Sequence, residues 1–207
     1  MRLHTQRTGA SSTLVTTFNA DAEISAAVRV GAVVFIAAAT AAAAQLSFPL
    51  PFTPVPLTLQ DTVVLLGGAA LGSRLGMAAQ LVYLAAGIVG LPVFAASAVL
   101  PQGVLRLLGP TGGYLLSYPL AAFLVGRLAE RGFDRRYLTS VLAMIAGLAV
   151  IFTFGVTWLA FFARPAALGL DAALSAGLYP FLPGDILQIL AGAAILPVTW
   201  KFLVGNR

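Results

Sequence analysis

Residues 138–162 read LTSVLAMIAGLAVIFTFGVTWLAFF, a run without a single charged side chain. Its apolar residues follow neither the spacing of a half-buried helix nor the alternation of a strand. The run is greasy on every face, as a helix surrounded by lipid is. A span needs roughly 20 such residues. Working outward, the same texture returns in blocks 26–46, 57–72, 75–94, 111–128 and 185–204, so the chain is predicted to cross a membrane six times. The block 57–72 is short for a span. Composition agrees: of 207 residues, 59% are hydrophobic and 9% charged, against about 25% charged in a soluble domain. Mean hydropathy is +0.95. The reading is an all-α membrane protein, a six-transmembrane-helix bundle occupying 24–207 as one domain, behind a polar N-terminal tail at 1–23.

The distribution of basic residues sets the orientation. With the N-terminus inside, the cytoplasmic segments hold Arg2, Arg7, Arg29, Arg74, Arg127, Arg131, Arg135, Arg136, Lys201 and Arg207, and the outer loops only Arg106 and Arg164. Cytoplasmic loops of membrane proteins carry such an excess. Both termini are therefore expected in the cytoplasm of a multi-pass protein of the cell membrane. The net charge of +5 belongs to this topology signal; no basic helix or aromatic-interleaved patch suits nucleic acid. Ala41–Ala44 before Gln45 resembles a signal-peptide cleavage site, but the Ser/Thr-rich lead with Asp21 and Glu23 favours a retained first helix.

Missing residue types prune the chemistry. A phosphate-cradling loop needs a lysine after a glycine-rich turn, and the only lysine, Lys201, follows Thr199-Trp200. Without cysteine, and with His4 as the only histidine, the chain has no means to build a zinc site, a haem pocket or a serine–histidine dyad. No metal or cofactor is expected, and no enzymatic activity.

Polar groups collect where helices meet the outer side. Ser-Phe-Pro-Leu-Pro-Phe-Thr-Pro-Val-Pro (47–56) packs four prolines into an uncharged stretch. Proline removes backbone donors and blocks helix, and irregular backbone at membrane depth persists only where protein buries it or it lines a cavity. The segment reads as a stiff cap over a pocket or as a plain extracellular turn. Asp185 opens the last helix after Pro183-Gly184, either as an N-cap or as an intramembrane functional acid; Gln188 shares its face one turn on, either at the site or bonding a neighbouring helix. Asp61 stands near the start of the second helix, and Thr111 is placed to cap the fourth. The alanine-rich first helix, with Ala37 and Ala41 at i and i+4, suits close helix packing, either within the bundle or with a partner subunit.

Taken in order, Thr53-Pro54-Val55-Pro56-Leu57-Thr58-Leu59-Gln60, Leu71-Gly72, Tyr83, Gly87, Gly90-Leu91-Pro92-Val93-Phe94, Gly109-Pro110-Thr111-Gly112-Gly113-Tyr114 and Pro180-Phe181-Leu182-Pro183-Gly184-Asp185 resemble the BioY family, the biotin-binding S components of energy-coupling factor (ECF) transporters. The resemblance runs from about 45 to 191. It implies a six-helix bundle in membrane lipid that captures biotin from outside, partnered by an ECF transmembrane scaffold subunit and two ATPase subunits. It assigns Ala37 and Ala41 to partner docking. It places Asp185 on the biotin ureido N–H groups, with Phe52, Tyr114 or Phe181 packing the ring and Thr53, Gln188 and Asp61 at the site. Two positions depart from the family pattern: Gln188 stands where a lysine is usual, and Asp61 where a neutral residue is. Arg106, the only base in its loop, is either a candidate partner of the ligand carboxylate or a solvated loop arginine. Two further readings share these residues, an S component for a different small metabolite and a structural membrane protein with an empty cavity.

Overall fold

The computed structural model describes residues 13, 22–96, 102–165 and 167–204. Among the described residues three helices are long and apolar enough to cross a membrane: α1 (Ala22–Gln45), α6 (Tyr137–Phe161) and α8 (Leu182–Val204). Between them lie α2 (Gln60–Leu71), α3 (Ser73–Ile88) and α5 (Gly112–Ala129), with the short helices α4 (Leu105–Leu108) and α7 (Leu170–Gly177) inside connections expected to be irregular. Most of the tail at 1–23 lies outside the described residues. Two strands join the helices: β1 (Ser47–Phe48) and β2 (Leu57–Thr58) pair antiparallel, Ser47 opposite Thr58 and Phe48 opposite Leu57. The prolines between them form the tip of a hairpin, a small β element absent from the all-α expectation.

That hairpin shortens α2. The block expected to start at 57 spends its first residues in β2, so α2 has 12 residues and spans about 18 Å at 1.5 Å per residue. Its N-terminus consequently lies below the hairpin, within the bundle. α3 ends at Ile88, because Gly90 takes a positive φ of 97° and Pro92 follows. α2 and α3 meet at Gly72, whose φ of 85° favours glycine.

α5 packs against α2, α3 and α6, while α1 lies on α2 and α3 and α8 on α2 and α6. The direction of the chain separates two ends. α1 ends, α2 begins, α5 begins and α8 begins at the hairpin end. At the other end Ser73 bonds Glu130 and the Trp200 indole donates to Asp134 at 2.6 Å. The charged turn 130–136, the start of α1 and the end of α8 therefore lie together, about 27 Å from the hairpin along the 18 residues of α5.

The two α1 residues that the resemblance assigns to docking lie on the inner side of the helix. Ala37 is 7% exposed and part of the core, and Ala41 is half-buried against it. Their row, one turn apart, faces the bundle itself, where small side chains let α1 approach α2 and α3. Ala38 and Ala42 occupy the outward face instead.

Candidate binding cavity

A cavity of about 530 Å³ opens beneath the hairpin, within the usual range of about 300–1,000 Å³ for small-molecule sites. Its cover runs from Thr53 to Thr58, with Ser47 and Pro49 alongside. Prolines suit a cover because they carry no N–H that burial would strand. The Thr53 hydroxyl ties it down, donating to Ala176 O of α7 at 2.5 Å and accepting the Val55 N–H at 3.1 Å. Phe52 is 64% exposed and outside the lining; at the hairpin tip it projects away from the space its neighbours enclose.

The walls are largely aromatic. Tyr114, Leu115 and Tyr118 come from α5, Phe152 from α6, Phe181 from the turn before α8, and Phe94 from the turn after α3. Tyr114 is anchored by its hydroxyl, which donates to Gly177 O at 2.7 Å. Its ring fits because α6 has Gly155 opposite, where a Cβ would overlap the ring. Thr111 also lines the cavity but makes no side-chain cap to α5.

The polar groups come from four elements. Asp61, in the first turn of α2, accepts the Tyr118 hydroxyl at 2.8 Å through Oδ1. Gln60 beside it donates to the Tyr83 hydroxyl at 2.6 Å, and the Tyr83 ring meets Phe94 edge-on at 5.5 Å. Asp185 is 4% exposed and lines the same cavity. It is not an N-cap: α8 begins three residues earlier, and the Asp185 N–H already donates to Phe181 O at 2.9 Å. Among the described residues no donor reaches its carboxylate. Arg106, on α4, is 5% exposed, and its Nε has no hydrogen-bond partner. It lines the cavity rather than extending from a solvated loop, and no ion pair joins it to either acid among the described residues.

Gln188 stands apart. Its Oε1 accepts the Thr62 hydroxyl at 2.9 Å, joining α8 to α2, and it does not line the cavity. Of the site residues expected from sequence, then, Asp185, Asp61, Arg106, Thr53, Tyr114 and Phe181 converge, while Phe52 and Gln188 do not. Tyr118 and Phe152 escaped notice. Tyr118 was readable, since it follows Tyr114 by one helical turn on the same face. Phe152 was not, because α6 is apolar all round and spacing favours no face.

Among the described residues no group of three or more metal-ligating side chains comes together. What the arrangement suits is reversible capture: among the described residues it is an apolar box with an unpaired guanidinium and an unpaired carboxylate.

The BioY family model matches residues 13–204. A probable biotin transporter BioY of Pyrococcus horikoshii is 39% identical over 177 residues, covering 86% of this chain and 96% of that protein. The biotin transporter BioY of Thermotoga maritima is 36% identical over 146 residues, 70% of this chain and 81% of that one. Among solved structures, the 2.1 Å crystal structure of the S-component for biotin from an ECF-type ABC transporter superposes with a TM-score of 0.77. The match covers 88% of this chain and 95% of that one at 24% identity, a likeness of fold.

Proposed function

The chain belongs to the BioY family, and from that premise we propose that it is the biotin-binding S component of an ECF transporter. It is a transport subunit and not an enzyme. Six helices cross the cell membrane with both termini in the cytoplasm, and the cavity faces outward. Biotin enters beneath the hairpin and is passed inward with a scaffold subunit and two ATPase subunits. Two features support the orientation: the cavity and the charged turn occupy opposite ends of α5, and the basic excess favours the charged-turn end as cytoplasmic.

The observation that carries the reading is the coexistence of Arg106 and Asp185 in one apolar cavity, both buried and neither paired among the described residues. Buried charges without partners are costly, so such a site awaits a ligand that supplies both counterparts. Biotin does so. Its ureido N–H groups are donors for Asp185, its valerate carboxylate pairs with Arg106, and its bicyclic ring packs among Tyr114, Phe152 and Phe181. Gln188 is occupied by Thr62, which leaves Arg106 as the base for the ligand carboxylate.

A second reading, an S component for a neutral or cationic metabolite, draws on the presence of two acids, Asp61 and Asp185, against one base. Mass spectrometry of ligand retained through purification, followed by calorimetric titration with biotin, separates the two. Biotin is expected in both measurements. A different retained metabolite, with no heat from biotin, would replace the proposal by the second reading.

A further inference from the structure

Asp61 and Asp185 come from the first turns of α2 and α8 and line one cavity. The titratable and charged groups around them are few: Tyr114 and Tyr118 on α5, Tyr83 on α3 and Arg106 on α4. α6 contributes only Phe152 to the lining. Tyr118 is already committed to Asp61, and Tyr83 accepts from Gln60. Arg106 is the one cation of the lining, and its Nε is unpartnered.

A charge count follows. Biotin brings a carboxylate of its own, so the filled cavity contains three acids and one guanidinium. Arg106 answers the valerate. One site carboxylate, ionised, accepts from the ureido N–H groups. The other loses the water that solvated it and gains no cation, and an unpaired buried carboxylate is among the costlier groups a site can hold. A proton is the compensation at hand, and two carboxyls in one desolvated space titrate as a pair.

Resting on the biotin reading, we propose that Asp61 makes capture proton-linked: biotin binds together with one proton shared by Asp61 and Asp185. Asp185 alone, facing the ureido donors, creates no such demand; the second acid does. The complex then holds more protons than the free subunit, so affinity falls as pH rises, by up to roughly tenfold per pH unit. The ligand's own carboxyl, an alkyl acid near glutamate's value of about 4.3, stays ionised throughout.

Calorimetric titration of the purified protein with biotin, at pH about 6.5 and about 8.5, should show roughly tenfold or greater weakening at the higher pH. Repeating the titration at the higher pH in buffers of different ionisation enthalpy should count about one proton taken up per biotin. Asp61→Asn should abolish the pH dependence and the proton uptake, whatever its absolute affinity. Wild-type binding that is independent of pH, with no proton uptake, overturns the proposal, and so does a slope that survives in the Asn variant. The proton count is made on the wild type and does not depend on the variant folding. No binding of biotin by the wild type at either pH would instead remove the biotin reading itself, and this proposal with it.

Discussion

Among the described residues Asp185 and Arg106 are buried without partners, and that condition makes their substitution informative. A carboxylate accepting ureido N–H groups makes charge-assisted bonds worth about 1.5–3 kcal/mol. Asp185→Asn should therefore weaken biotin binding by roughly 10- to 150-fold while the fold is kept. Because the residue sits inside the first turn and does not cap it, lost affinity in this variant reports on the ligand and not on the helix start. Arg106→Ala should weaken biotin by a similar factor yet barely change the affinity for biotin amide, which lacks the charge. Calorimetry with both compounds decides it: equal losses would mean that Arg106 shapes the cavity without meeting the carboxylate.

Among the elements, α3 shows how the far end of the bundle is tied. Its first residue, Ser73, donates to Glu130 Oε1 through both its N–H, at 2.8 Å, and its hydroxyl, at 2.7 Å. Arg127 donates to the other carboxylate oxygen at 3.0 Å. A carboxylate from the turn after α5 thus caps the N-terminus of α3, the position that the helix dipole favours. Burial alone would raise the Glu130 pKa, but the bonds from Ser73 and from Arg127 together outweigh it and hold the carboxyl below its usual value. A depressed pKa stabilises the fold fully above the unfolded value of about 4.3 and loses that contribution as pH falls through the folded value. Glu130→Gln should cost about 1–2 kcal/mol near neutral pH, read as a lower thermal midpoint in detergent. Its difference from the wild type should close as the solution is acidified below about pH 4. A constant difference across that range would mean the charge of Glu130 is immaterial.

The whole molecule has a polarity that two experiments read. With the hairpin end outside, a single cysteine at the exposed Ser175 should react with an impermeant reagent on intact cells, and one at the exposed Arg131 should not. The reverse pattern would invert the orientation. The chain has no phosphate-cradling sequence, so reconstituted alone it should show no ATP-driven uptake of biotin, and uptake should appear when an ATPase-bearing coupling module is added. ATP-driven transport by the isolated chain would sink the proposed division of labour.

Much of this architecture was written locally in the sequence. Whether a segment suits lipid depends on its own composition, so the blocks at 26–46, 111–128 and 138–162 match α1, α5 and α6 within a few residues. That 47–56 forms no helix followed from its four prolines, while its role as a cover was one of two open readings; Asp61 and Asp185 stood out because acids are rare and costly in such segments. Which faces turn inward was not legible, since helices apolar on all sides carry no periodic signal, and packing alone buried Ala37 and Ala41 while turning Ala38 and Ala42 out. The start of α2 and the end of α3 escaped, because pairing across the hairpin and the turn at Gly90 decide them, not propensity. The cavity itself belongs wholly to tertiary structure: Arg106, Asp61, Tyr118 and Asp185 are separated by long stretches of chain, and only the packing of α2, α4, α5 and α8 brings them to one space. The same packing removed Gln188, because Thr62 of the neighbouring helix satisfies its amide oxygen before any ligand arrives.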